Sequence, residues 1–165
     1  MPLYRLEENF AQMNIDISRT SMARWAIQSA DFLGDLAFEI KKYILSQNAL
    51  HADETTIQVL HEPGKKAQTN SYMWMICSPE NTHPAVWFQY ERGRAGVYAK
   101  SLLEDFSGLI HIDGYDGYNN AISENKATRL GCWAHVRRKF VIAKKDGSGA
   151  NKYKTLSIKF LDLIQ

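Results

Sequence analysis

Leu109-Ile110-His111-Ile112-Asp113-Gly114-Tyr115 is the stretch that decides the fold. Its apolar half reads as a short buried strand, and the Asp-Gly pair behind it turns the chain. A helical pattern precedes it, from Ala95 to Phe106, with Val97, Tyr98, Leu102 and Leu103 apolar and Gly108 expected as its stop. A strand reached through a helix enters its sheet by a parallel crossover. Upstream, residues 50–60, 71–78 and 85–90 read as three strands. Glu62-Pro63-Gly64-Lys65-Lys66 and residues 79–84 supply the turns of an antiparallel meander. Downstream come a short helix around Asn119 to Glu124, a weak strand at Thr128-Arg129-Leu130-Gly131-Cys132 and a basic helix from Trp133 to Lys144. The order predicts an α/β fold, a five-stranded mixed sheet flanked by helices.

In such a sheet the first and fourth strands can be neighbours. Asp53, in Leu50-His51-Ala52-Asp53-Glu54-Thr55, and Asp113 are each read as closing a strand, and the two would then lie side by side. Two adjacent carboxylates repel unless a cation lies between them, and hard oxygen donors suit Mg²⁺, which keeps water and phosphate oxygens as its other ligands. The plainer alternative is that Asp53 caps a turn and Asp113 opens the Asp-Gly turn. His51 and His111 each stand two residues before an aspartate, on the same strand face, and either border the site or pack in place. Glu54 is expected on the opposite face.

Residues 1–48 read as a helical segment and 49–165 as the α/β core. Leu3, Leu6, Phe10 and Met13 recur at helical spacing, Asn14-Ile15-Asp16 interrupts, and Ser18 is placed to cap a second helix starting at Arg19. Met22, Trp25 and Ile27 are expected to face a core. The segment reads either as helix-turn-helix-like or as a plain helical hairpin. A longer helix is predicted from Ala30 to Ser46, with Phe32, Leu33, Leu36, Ile40 and Ile44 on one side. Asp146-Gly147-Ser148-Gly149 reads as a break, followed by a helix from Tyr153 to Gln165.

Of the 165 residues, 45% are hydrophobic and 12% aromatic, enough for a real core. Net charge is only +2, but Arg137-Arg138-Lys139 and Lys144-Lys145 cluster, with Lys152, Lys154 and Lys159 following. That basic end suits a polyanion, or a solvated helix face. Cys77 and Cys132 suggest no disulfide framework. No apolar run is long enough to span a bilayer and the N-terminus lacks a signal-peptide pattern, so a soluble cytoplasmic protein is expected, with no membrane partner. Cys132 and His135 have C-x-x-H spacing, but zinc would need further ligands and no matching pair follows. Trp133 is expected in the core rather than as a base-stacking platform.

Three phrases carry a more specific signal. His51-Ala52-Asp53-Glu54-Thr55, Asp113-Gly114-Tyr115-Asp116-Gly117-Tyr118 and Gly131-Cys132-Trp133-Ala134-His135-Val136-Arg137-Arg138-Lys139-Phe140 resemble the DDE-type transposases of the IS66 insertion-sequence family. Pro2-Leu3-Tyr4-Arg5 and Ser18-Arg19-Thr20 fit the same resemblance. It implies a ribonuclease-H-like fold and a bacterial source. It implies that Asp53 and Asp113 are the first two members of an acidic triad holding Mg²⁺ or Mn²⁺. It also implies DNA as partner, both transposon ends and target, and leaves room for a homo-oligomer. By the same resemblance His135 would contact DNA or order the site. Read from the residues alone, Arg137, Arg138 and Lys139 suit DNA phosphates or form a solvated helix face, and Cys132, His51 and His111 are candidates for ordering the site. The third acid, a glutamate on a late helix, has no match. Glu124 comes too early, Asp146 sits in the glycine break, and Asp162 lies on the right sort of helix close to the last residue. The missing glutamate is expected beyond Gln165, making the core C-terminally truncated. Three outcomes stay open: a nucleotidyl-transfer core, an inactive DNA-binding or assembly module, or a metal-dependent nuclease of the same fold.

Overall fold

A computed structural model of the chain describes residues 2–79 and 83–145. The expected glycine break and final helix, with Asp146 and Asp162, lie outside the described residues. The chain divides into two compact units, Met1–Tyr43 and Ile44–Gln165.

The first unit is helical. α1 spans Leu3–Gln12 and α2 spans Arg19–Phe32, and α3, Gly34–Leu45, runs from it into the second unit. Ser18 caps α2 as expected, its hydroxyl accepting from the Ser21 amide at 3.1 Å. The Glu7 carboxylate accepts from the Arg19 backbone N–H at 2.9 Å, tying α1 to the start of α2. Two expectations fail here. The single helix from Ala30 to Ser46 is instead the end of α2 and all of α3, parted at Leu33 beside Gly34, a residue that weakens helices. The expected apolar faces form only in part: Trp25, Ile27, Phe32, Leu33, Leu36 and Ile40 are exposed, while Met22 and Ile44 are buried. The apolar side chains of α2 scatter around its axis rather than forming a stripe, and Ile27, five residues after Met22, points away from it.

The second unit is built on the sheet. β1 is Ala49–Gln58, β2 Asn70–Cys77, β3 Val86–Glu91, β4 Leu109–Ile112 and β5 Thr128–Gly131, in the order β3-β2-β1-β4-β5. β1, β2 and β3 are antiparallel, whereas β4 and β5 are parallel to β1. A three-strand meander extended by two parallel strands is the ribonuclease-H-like arrangement. α4 (Gly96–Leu103), a 3₁₀ turn (Asp116–Tyr118), α5 (Asn119–Asn125) and α6 (Trp133–Lys145) complete the unit.

Strand alternation sorts the sheet's two faces. Leu50 and Ala52 of β1, Trp74 and Ile76 of β2, and Ile110 and Ile112 of β4 are buried, as are Leu102, Leu103 and Phe106 around α4. Each sealed Leu or Ile contributes on the order of 2 kcal/mol. Trp74 is the centre of this layer, its ring 5.6 Å from Tyr118 and its indole N–H donating to the Gly93 carbonyl at 3.3 Å. The other face carries His51, Asp53 and Thr55, then Val86, Phe88 and Tyr90 of β3, and is largely open.

Gly108 does not stop α4, which ends at Leu103, with Glu104 in the left-handed region at φ 45°. Its role is close approach: a Cβ there would lie 2.5 Å from the Asn48 carbonyl oxygen, against the backbone that leads into β1. Gly96 serves similarly, since a Cβ would lie 2.8 Å from the Gly117 carbonyl oxygen. The start of α4 therefore sits directly on the turn that follows β4.

Candidate metal and nucleic-acid site

Asp113 follows directly on β4, as expected, but Asp53 does not close β1. β1 continues to Gln58 because β2 pairs with it along its whole length beyond His51. What ends near Asp53 is the pairing with β4, whose last matched residues are His51 and His111. Continued two residues, this parallel register sets Asp53 level with Asp113, on the face shared with the two histidines. Both carboxylates stand where β1 and β4 part.

Each aspartate has one oxygen tied by a backbone amide. Asp53 Oδ1 accepts from the Glu54 N–H at 3.0 Å, and Asp113 Oδ1 accepts from the Tyr115 N–H at 2.8 Å. Neither Oδ2 takes a hydrogen bond from a described residue. An anchored oxygen beside an open one leaves a hard donor on each carboxylate, which fits a divalent ion that keeps water in its shell. Among the described residues, no three His, Cys, Asp or Glu side chains gather to hold a metal ion. Asp53 also borders a shallow depression of about 210 Å³ floored by Thr55, Met73, Met75 and Phe88.

Glu54 sits on the covered face, its side chain 1% exposed. Its Oε1 accepts from Arg94 Nε at 2.7 Å and lies 2.5 Å from Arg94 Nη2, while Oε2 accepts from the Tyr118 hydroxyl at 2.8 Å. Burial, the charge of Glu54 and its hydrogen bond, and then the charges of Asp53 and Asp113 push the Tyr118 phenol far above its ordinary value. One hydroxyl thus lies within electrostatic reach of all three carboxylates. Arg94 lies over the Tyr115 ring with its Cζ 3.9 Å from the centroid, and the Tyr115 hydroxyl donates to the Arg94 carbonyl. Arg129 of β5 donates from Nη2 to the Tyr115 carbonyl at 2.7 Å and from Nη1 to Asn119 at 2.9 Å, while its buried Nε has no partner among the described residues.

His51 and His111 meet edge-to-face, with ring centroids 4.8 Å apart and Nδ1 atoms 2.9 Å apart. His111 Nε2 lies 3.1 Å from the Gly131 carbonyl, which can only accept. With both rings neutral, His111 is therefore protonated on Nε2 and accepts at Nδ1 from His51 Nδ1–H. Burial first, and then His111, lower the His51 pKa, favouring the neutral ring.

Cys132 stands just before α6, its amide bonded to the Ile112 carbonyl at 2.9 Å, which brings the start of α6 beside the end of β4. His135 is half-buried, and its buried Nδ1 has no partner among the described residues. Arg137, Arg138 and Lys139 are exposed on α6. Trp133, expected in the core, is 62% exposed at the start of α6.

A family model described as "Transposase IS66 family" matches residues 1–164. The chain belongs to the IS66 transposase family. Three relatives come from Sinorhizobium fredii (strain NBRC 101917 / NGR234). "Uncharacterized protein y4qI" is 33% identical over 85% of this chain and 28% of its own length. "Uncharacterized protein y4jD" is 31% identical over 90% and 31%, and "Uncharacterized protein y4hP" 26% identical over 84% and 26%. The IS66 chain thus spans less than a third of each of these relatives. Two solved structures are similar to it. The HTLV-2 integrase catalytic core domain in complex with magnesium is 8% identical, with a TM-score of 0.38, over 67% of this chain and 81% of that one. The simian T-cell lymphotropic virus intasome in complex with PP2A regulatory subunit B56 gamma is 11% identical, with a TM-score of 0.39, over 69% and 48%. The overlap is loose, and the fold assignment rests on the strand order itself. No helix among the described residues of this IS66 domain is long and apolar enough to cross a membrane.

Glu54, Arg94, Tyr115, Tyr118 and Arg129 were not legible as one network in the sequence. Alternation placed Glu54 opposite Asp53, but nothing in Glu91-Arg92-Gly93-Arg94 announced its partner. The signal available was the pair of tyrosines in the family phrase after Asp113.

Proposed function

We propose that this IS66 domain is the metal- and DNA-binding core of a DDE transposase, with Asp53 and Asp113 as two of its catalytic acids. The observation that carries the reading is the parallel register of β1 and β4 through His51 and His111, which, continued by two residues, would bring these aspartates level on one open face. Each would offer one carboxylate oxygen to Mg²⁺ or Mn²⁺. When bound, such an ion supplies Lewis acidity for in-line displacement at a phosphodiester. In the intact family protein, water would attack the phosphorus at the transposon end, breaking its bond to the 3′ oxygen and freeing a 3′-hydroxyl. That hydroxyl would then attack a target phosphodiester and displace its 3′ oxygen. Arg137, Arg138 and Lys139, exposed on α6, would hold the phosphate backbone without reading sequence, and His135 would border that contact. Cys132 would fix the start of the helix that bears them. The DNA partners would be transposon ends and target, and a homo-oligomer would pair the two ends.

Mn²⁺ titration followed by amide NMR tests the metal site. Broadening is expected around residues 53 and 113 and should vanish in Asp53→Asn plus Asp113→Asn; unchanged broadening in that double variant sinks the assignment. A second reading, an inactive DNA-binding or assembly module, draws on the lack of a third acidic ligand among the described residues. It expects salt-sensitive duplex binding that survives loss of both aspartates, and strand transfer by this chain would rule it out. Cleavage without joining would indicate a nuclease of the same fold.

A further inference from the structure

We propose that Glu54, acting through Arg94 and Tyr115, is a positioning residue that orients the Asp113 carboxylate opposite Asp53. The proposal deepens the metal-site reading above and rests on it for the identity of the ligand.

The bridge is continuous. Glu54 receives Arg94 at 2.7 and 2.5 Å. Arg94 Cζ lies 3.9 Å from the Tyr115 ring centroid, and the Tyr115 hydroxyl donates to the Arg94 backbone carbonyl. Residues 94 and 115 are thereby clasped at two points, one through the ring face and one through the hydroxyl. The Tyr115 N–H then holds Asp113 Oδ1 at 2.8 Å. That hydrogen bond disfavours rotation of the carboxylate and so biases the direction of Oδ2. The same residue, Glu54, donates its own N–H to Asp53 Oδ1 at 3.0 Å. One position on β1 therefore touches one acid with its backbone and reaches the other through its side chain.

Stability alone is a poor reason for such a bridge. Removing Glu54 from water is costly, and an apolar pair of similar shape often stabilises a fold as well or better. What an apolar pair cannot supply is direction. Arg94 brings two nitrogens, Nε and Nη2, to the single oxygen Oε1 of Glu54 while standing over the Tyr115 ring, so its guanidinium is held from two sides.

Two variants leave Glu54 in place and spare the fold. Arg94→Lys keeps the charge but loses the fork and the stack. Tyr115→Phe keeps the ring but loses the hydroxyl grip. Lys100→Ala, which removes an exposed ion pair to Glu124, is the control. Two readouts are taken on each: the proton shift of the Tyr115 amide, which reports its bond to Asp113, and Mn²⁺ affinity from paramagnetic broadening. Both variants should move the Tyr115 amide upfield and weaken Mn²⁺ about tenfold, as loss of an outer partner of a metal ligand does, whereas Lys100→Ala changes neither. An unmoved Tyr115 amide in both variants overturns the proposal, as does a moved amide with wild-type Mn²⁺ affinity. Absence of broadening in the wild-type protein would fail the metal reading instead, and the amide shift would still decide whether the bridge orients Asp113.

Discussion

Tyr118→Phe removes a single oxygen from a fully enclosed polar contact in the sheet layer. Tyr118 is fully buried, its ring packs against Trp74, and its hydroxyl donates to Glu54 Oε2 at 2.8 Å. Phenylalanine keeps the packing, so no cavity opens. What is lost is a hydrogen bond to a carboxylate whose side chain is 1% exposed, leaving Oε2 without water or donor. Losing one partner of a buried charged group costs about 1.5–3 kcal/mol. With a urea m-value of about 2 kcal/mol/M, the unfolding midpoint should fall by about 1 M. Circular dichroism of both proteins in urea measures it, and Glu54→Gln with the double variant completes a cycle in which the two changes should be non-additive. The pH dependence supplies an independent check. The folded phenol has a pKa raised above its ordinary 10.0, so Tyr118 keeps its proton when folded and loses it when unfolded. Its stabilisation is whole below pH 10 and declines above that by about 1.4 kcal/mol per pH unit. The wild-type advantage over Tyr118→Phe should therefore be flat through neutral pH and shrink above pH 10. An unchanged midpoint at pH 7, or an advantage that grows in alkali, would refute the reasoning.

Two further outcomes follow from other parts of the fold. Glu62 lies in the β1–β2 loop, where a hydrogen bond from Ser71, then Arg92, Tyr90 and Lys65, outweigh burial and lower its pKa from 4.5 to about 2. Its contribution is present above pH 4.5 and is lost as pH falls toward 2; wild type minus Glu62→Gln in thermal melts should shrink across that window, and a difference flat from pH 6 to about 2 would contradict this. Gly108→Ala should cost about 1–3 kcal/mol, because the added methyl meets the Asn48 carbonyl, whereas Gly114→Ala meets nothing within 4 Å and should escape that steric cost. Equal melting temperatures for the two variants would contradict this.

The second unit was more legible than the first because its elements carry strong local signals. Trp74 and Ile76 alternate with half-buried neighbours, and Leu109 to Ile112 is too short and apolar to be anything but an inner strand. The sequence also set Asp53 and Asp113 on neighbouring strands, since a meander followed by a crossover leaves few other orders. It misjudged where β1 stops, because pairing with β2, a non-local event, carries the strand past Asp53 to Gln58. It misjudged Trp25 and Trp133, which are 53% and 62% exposed, because a large apolar side chain does not by itself fix burial. The bridge from Glu54 to Asp113 joins three segments, with 40 positions from Glu54 to Arg94 and 21 from Arg94 to Tyr115, and no local pattern encodes such a contact.

The pleat of β1 gives Asp53 and Glu54 opposite duties, and this makes the constellation all-or-nothing with respect to chain length. One residue inserted between Leu50 and Asp53 would not loosen the acids gradually. It would swing the aspartate beneath the sheet and lift the glutamate into the open, exchanging their tasks at a stroke. Two inserted residues would restore the facing but slide the carboxylate about 7 Å along the strand, out of step with residue 113. Length changes in this short run should therefore be far less tolerated than changes of side chain.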